Sequence, residues 1–231
     1  MCPTSGVKAP DLLRATSTGL ACGNSRDEAL LHALLEVVER DVLHRDERLK
    51  GRRRTLIAPR TVQDPHGRQV IDRITAAGLA LEIALVDGPY NLPVCMAYLW
   101  SEDHPAVFAG AGCHTVPHIA LTRALTEAAQ SRLTAIAGTR DDLPSDPAGW
   151  GTPPFRPATT TGLTSWPEAA ARLTTTVAGF AEQTSNVAQR IAHITGHEPL
   201  AVHLSDPDAP VHAVQAICPG TRSRTRRSMP R

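Results

Sequence analysis

One segment of this chain occurs twice. Gly19-Leu-Ala-Cys22, followed by Ala29-Leu-Leu-His32-Ala-Leu-Leu-Glu36, returns as Gly110-Ala-Gly-Cys113, followed by Ala120-Leu-Thr-Arg123-Ala-Leu-Thr-Glu127. Corresponding positions are all 91 apart (110−19, 113−22, 120−29, 127−36), and the same offset sets Glu39 against Gln130. An offset kept through apolar and polar positions alike requires one structural unit to be built twice. The sequence predicts two Gly-rich turns, each leading into a helix with acidic or amide side chains at matched heights. A two-walled site would lie between them.

The first wall follows from helix geometry. At about 100° per residue, Glu28, His32, Glu36 and Glu39 fall within an arc of about 80°. Ala29, Leu30, Leu31, Ala33, Leu34, Leu35, Val37 and Val38 flank that stripe, which predicts a helix buried over most of its surface. Carboxylates set among apolar packing repel one another and lose hydration unless a cation or hydrogen-bond donors compensate them. Hard oxygen ligands favour Mg2+. Plainer uses stay open: Ser25-x-x-Glu28 also reads as a capping box, with Asn24 as the alternative cap. Glu36 and Glu39 also suit a solvated face.

The second wall is built alike. Pro117 suits a first helical turn, and Arg123, Glu127 and Gln130 then lie within about 60° of one another. A local Arg123–Glu127 ion pair, worth a few tenths of a kcal/mol, is the plain alternative to a ligand contact. The glycine-rich turns ahead of both helices would present backbone N–H groups to an anion such as phosphate. Neither is a Walker A loop, because no Gly-Lys-Ser/Thr follows. Together these features point to Mg2+-nucleotide binding.

Composition narrows the setting. The 24 Lys and Arg residues against 23 Asp and Glu leave a formal net charge of +1, which gives no bulk attraction to nucleic acid. No apolar run approaches the roughly 20 residues needed to cross a bilayer, and no basic-then-apolar signal pattern opens the chain. A cytoplasmic protein without membrane contact is the expectation. Cys2, Cys22, Cys95, Cys113 and Cys218 show no paired zinc spacing, and Cys22 and Cys113 read as small buried side chains.

Elsewhere helix and strand alternate. Residues 67–77 read as a helix, 79–86, 94–99 and 106–109 as strands, and 88–93 as a turn. Residues 143–164, rich in Pro, Gly and Thr, read as an irregular loop. A helix starts at Trp166 and runs, with a break near Gly179, to Gly196, and 200–204 and 211–218 read as strands. The fold class is α+β: two pseudo-repeated Gly-turn/helix units packed with a largely antiparallel sheet.

At these residues the chain resembles a known family. Ala15-Thr-Ser-Thr-Gly-Leu-Ala-Cys-Gly-Asn24, then Glu28, then Glu36-Val-Val-Glu39-Arg40-Asp41, resembles a nucleotide and metal motif of YcaO proteins. Ala109-Gly-Ala-Gly-Cys-His114, Arg123-Ala-Leu-Thr-Glu127-Ala-Ala-Gln130-Ser-Arg132 and Gly138-Thr-Arg140-Asp141-Asp142 resemble the next. The likeness is strong over residues 14–142 and looser to Cys218-Pro219-Gly220. It implies a YcaO-like domain over 1–220 and a basic tail over 221–231, read as disordered. It also implies an enzyme that uses ATP and Mg2+ to phosphorylate a peptide-backbone amide oxygen, so that a nucleophile forms an azoline, thioamide or amidine. By motif position Asn24, Glu28, Arg40 and Arg123 would bind nucleotide, and Glu36, Glu39 and Glu127 would hold Mg2+. Gln130 belongs to the signature without a defined role, and His32 suits either a polar ligand contact or a structural hydrogen bond.

The departures carry their own expectations. Members of the family have an earlier Gly-Lys-Gly turn and acidic helix, and azoline-forming members end in a Pro-rich terminus; neither is found here. The chain therefore reads as a fragment or split gene product, or as one whose start and end were altered, with weak or absent ATP hydrolysis on its own. The expected partners are a peptide or protein substrate and a partner protein or upstream half, with a homodimer as a further arrangement. The alternative function is a degenerate or partial subunit that binds peptide or a partner without turnover. A metal-stabilised structural domain is the reading that does not involve the family.

Overall fold

The computed structural model describes residues 17–104, 106–138, 162–173 and 179–223. Strand β1 (Leu20–Gly23) enters helix α1 (Arg26–Arg48), and β2 (Arg54–Ile57) and α2 (Pro65–Ala76) follow. Three longer strands, β3 (Ala80–Val86), β4 (Val94–Trp100) and β5 (Phe108–Cys113), then lead into α3 (Pro117–Ala137). The described chain continues with α4 (Trp166–Ala170), α5 (Phe180–Thr195), β6 (Leu200–His203) and β7 (His212–Ile217). The parts of the predicted 143–164 loop before 162, of the motif at 139–142 and of the basic tail beyond 223 lie outside the described residues.

The strands form two antiparallel sheets where the sequence predicts one. Their orders are β2-β3-β4-β5 and β1-β7-β6. β1 and β2 are additional to the expected strands, and Gly110–Cys113, expected as a turn, lies in β5. Each of these segments is short or glycine-rich, so it lacks the run of β-branched and aromatic residues that marks a strand. Pairing with β7, β3 and β4 makes them strands. The end of the predicted loop is tied down as well, because Thr164 forms a parallel bridge to Ile57 at the margin of β2.

Helix α1 lies between the two sheets. Ala29, Leu31, Ala33, Leu34, Leu35, Val37 and Val38 are each at most 3% exposed and share one core with Val214 and Ala216 of β7, Val187 and Ile191 of α5, and Ala84, Val94 and Met96 of the larger sheet. The opposite face of that sheet packs Ile83, Leu85, Ala97 and Phe108 against Leu121 and Leu125 of α3 and Ile71 and Ile74 of α2. This two-sided burial explains why the apolar residues of α1 reach round both flanks of its acidic stripe.

Glycine sets how closely α3 approaches β5. A Cβ at Gly110 would stand 2.2 Å from the Ala128 amide nitrogen, and one at Gly112 would stand 2.2 Å from the Ala120 carbonyl oxygen. These glycines therefore serve close packing of helix on strand, not a phosphate-binding turn. Gly19 is a true turn residue, with φ +80 and the Ala216 carbonyl 2.3 Å from where a Cβ would be. Cys113 is buried as expected, but Cys22 is exposed, because alternate residues of β1 point away from α1.

A buried carboxylate fixes the far half of α1. Asp41, fully buried, accepts hydrogen bonds from the Tyr90 hydroxyl at 2.7 Å, from Arg45 Nε at 2.6 Å and from the Arg222 backbone N–H at 2.8 Å. It thereby joins the helix to the turn between β3 and β4 and to the segment after β7. Asp41→Asn weakens these charge-assisted bonds and is expected to lower stability by about 2 kcal/mol, read as an earlier urea midpoint.

Candidate functional site

The two walls meet along sheet margins. Among the described residues β5 pairs only with β4 and β1 only with β7, so each has one edge without a strand partner there. His32, Glu36, Glu39 and Arg40 of α1 and Arg123, Thr126, Glu127 and Gln130 of α3 line a cleft of about 440 Å3, with Ala21 of β1 and Ala111, Gly112 and Cys113 of β5 between them. The turn before β1 and the edge of β5 supply backbone donors. Glu36 Oε2 accepts from the Gly19 N–H at 3.1 Å, and Glu127 Oε2 accepts from the Ala111 N–H at 3.3 Å. Two of the three expected metal carboxylates are thus positioned by backbone amides, Glu36 by the turn that leads into β1 and Glu127 by the edge of β5.

The third carboxylate is the most strained electrostatically. Burial, with Glu127 and Glu36 as like-charged neighbours, pushes the Glu39 carboxyl up to about 7, while Arg40 and Arg123 pull the other way. Glu39 accepts no hydrogen bond among the described residues. Arg40 pairs with Glu36 Oε1 at 3.0 Å, one turn away on the same helix. Arg123 does not settle into a purely local role on α3, since its Nη2 donates across the cleft to His32 Nδ1 at 3.1 Å. That bond places the imidazole proton on Nε2, which faces Glu28 Oε1 at 3.8 Å. Burial and Arg123 push His32 below the ordinary histidine range, opposed by Glu28.

Asn24 and Glu28 stand one step back from the cleft. Ser25 is the cap of α1, accepting from the Glu28 N–H at 3.2 Å. The Glu28 carboxylate closes the box on Asn24 rather than on Ser25, accepting from the Asn24 N–H at 2.8 Å and from its side-chain Nδ2 at 3.1 Å. The Asn24 backbone bond is the main reason the Glu28 carboxyl sits below its usual range. Glu28 reaches the cleft through His32.

Two further groups gain a place only in the structure. Thr126 lines the cleft, with its hydroxyl turned to the Thr122 and Arg123 carbonyls. His114, held neutral by burial at about 4, accepts from the Val116 N–H at the entry to α3. Its adjacency to Cys113 at the end of a repeat unit was the available signal.

The cleft's donor set can be weighed against a metal. Among the described residues, no three His, Cys, Asp or Glu side chains converge closely enough to form a protein cage for a metal ion. Mg2+ takes few carboxylates and completes its shell with water and phosphate oxygens. Three carboxylates around one cleft, with Glu39 resisting ionisation, suit an ion that arrives with phosphate. A cation there would offset both the burial and the repulsion that raise Glu39.

Comparison with known proteins decides the family. The profile described as YcaO cyclodehydratase, ATP- and Mg2+-binding, matches residues 1–222. The chain belongs to the YcaO family. An uncharacterized protein of Mycobacterium tuberculosis is 34% identical over 222 residues, covering 91% of this chain and 48% of its own length. An uncharacterized protein of Methanothermobacter thermautotrophicus is 39% identical over 142 residues, covering 57% of this chain and 35% of its own length. The chain spans about half the length, or less, of these curated relatives. Among solved structures, YcaO from Methanopyrus kandleri bound with AMPPCP and Mg2+ aligns with a TM-score of 0.71 at 22% identity, over 92% of this chain and 57% of that one. A heterocyclase in complex with substrate and cofactor aligns with a TM-score of 0.72 at 22% identity, over 91% of this chain and 29% of that one. These likenesses establish the YcaO fold, and the family's description agrees with the expected cofactors, ATP and Mg2+. No described helix is long and apolar enough to cross a membrane.

Proposed function

We propose that the cleft binds Mg2+-ATP and takes part in activating a peptide-backbone amide for azoline or thioamide formation. The observation that carries this reading is the convergence of Glu36, Glu39, Glu127, Arg40 and Arg123 on one cleft beside β1 and β5. When bound, Mg2+-ATP supplies the phosphoryl group that makes the amide oxygen a leaving group. The chain's own residues do the holding. Glu36, Glu39 and Glu127 offer carboxylate oxygens to the ion, while Arg40 and Arg123 offset charge on the phosphates. Arg40 and Glu36, paired without ligand, would exchange partners on binding, Arg40 to phosphate and Glu36 to the ion. Asn24 and Glu28 shape the nucleotide side of the cleft and orient Arg123 through His32.

Coupling tests this arrangement. Arg123→Ala and Glu36→Ala, measured singly and together by calorimetry with Mg2+-ATP, are expected to be non-additive by about 0.5–3 kcal/mol, because both act on one ligand. Strict additivity would separate the two walls and sink the reading. Steady-state ATP turnover, measured alongside, distinguishes an active enzyme from a partial subunit that binds without turnover.

A further inference from the structure

At the far end of α1 a second concavity, of about 470 Å3, opens between the helix's last turns, the loop after it and the segment following β7. His44, Arg45 and Arg48 enter it from α1, Arg53 from the approach to β2, and Arg222 from beyond β7. At about 100° per residue this face of α1 is centred roughly 130° around the helix from the face carrying Glu36, Glu39 and Arg40. The two cavities share no lining residue.

Positive charge is in excess here. Asp41 is fully engaged by Tyr90, Arg45 and the Arg222 N–H, so it balances Arg45 alone. Asp87 is the other carboxylate on the lining, and it is exposed. Among the described residues, the guanidinium groups of Arg48, Arg53 and Arg222 have no hydrogen bond or ion pair. Cations in a last helical turn offset the helix dipole, which accounts for Arg45 and Arg48. It does not account for Arg53 and Arg222, which come from separate segments of the chain.

We propose that this concavity is a docking site for an acidic peptide segment. Guanidinium forks suit carboxylates in bidentate geometry, and their arrival from three separate segments matches charges spaced along a chain better than one compact anion. Leu49 and Pro89 add an apolar wall for the peptide between its charges. Single-stranded nucleic acid would use aromatic platforms for its bases, and no aromatic side chain lines the concavity. The site is separate from the nucleotide cleft, so it does not depend on the proposed reaction.

Fluorescence anisotropy tests it with a labelled Glu-rich peptide, its Gln-substituted counterpart and an oligonucleotide of equal charge. The Glu-rich peptide is expected to bind, to weaken with added salt, and to lose about tenfold or more in affinity to the Arg48→Glu, Arg53→Glu double variant. Both side chains are exposed and away from the nucleotide cleft, so Mg2+-ATP affinity of that variant should match the wild type, while reversing Arg48 at the helix end lowers the melting temperature only slightly. If charge reversal unfolds the chain, Arg48→Gln with Arg53→Gln is expected to weaken binding in the same direction. Absence of binding, equal binding of the Gln peptide, indifference to the substitutions, or oligonucleotide binding as tight as that of the peptide would each overturn the proposal.

Discussion

Replacing Glu39 by Gln is expected to weaken Mg2+-dependent ATP binding by about 100-fold while making the ligand-free chain more stable at about pH 8. The two effects share one cause. The Glu39 carboxyl is raised to about 7 from an ordinary value of 4.5, so the folded chain holds a proton there that the unfolded chain releases at lower pH. Below about pH 4.5 both states are protonated and the group contributes nothing. As pH rises from 4.5 to 7 the folded state loses ground, and above 7 the full penalty is present. Gln keeps the shape without the charge, so the gain at about pH 8 could reach about 3 kcal/mol and should shrink towards zero near pH 4.5. Urea titrations across that range read the stability, and calorimetry with Mg2+-ATP reads the binding. Unchanged affinity in the mutant would remove Glu39 from the site.

Gly112→Ala is expected to cost about 3 kcal/mol or more and to abolish nucleotide binding with it. The added methyl would meet the Ala120 carbonyl oxygen at 2.2 Å and the Ala124 amide nitrogen at 2.8 Å. These are backbone atoms of α3, which cannot rotate aside as a side chain can. Either the helix lifts away from β5, carrying Arg123 and Glu127 out of the cleft, or the strand detaches from β4. Gly179→Ala is the control, since among the described residues a Cβ there meets nothing within 4 Å, and its change should stay within about 1 kcal/mol, the cost of a poorer helix cap. Equal stability of the two variants in denaturant titrations would refute the close approach of α3 to β5.

Much of the site was legible before any fold was known. The spacing of Glu28, His32, Glu36 and Glu39 determines that they share a helix face, because helical twist is a local property of the backbone. The same holds for Arg123, Glu127 and Gln130. The apolar residues on both sides of the stripe in α1 also announced burial, and the helix is covered by two sheets. Long strands with many apolar residues, such as Ala80–Val86 and Val94–Trp100, were legible for the same local reason.

What could not be read was whatever depends on a partner far along the chain. β1 and β2 are four residues each and exist because β7 and β3 supply their hydrogen bonds. Glycines that suggest an anion-binding turn lie in a strand, since their missing side chains serve a helix that packs on them. Arg123 has an acid one turn away on its own helix, yet it crosses to His32 on the other wall. The buried Asp41 and the basic concavity beside it join residues as distant as Arg53 and Arg222. By itself, the sequence determined the family, the helical faces and the candidate ligands, because these follow from residue identity and backbone periodicity. Only the tertiary structure decided that the turn before β1 and the edge of β5 lie beside those faces and that their amides hold Glu36 and Glu127, because strand pairing and burial are set by contacts between distant segments.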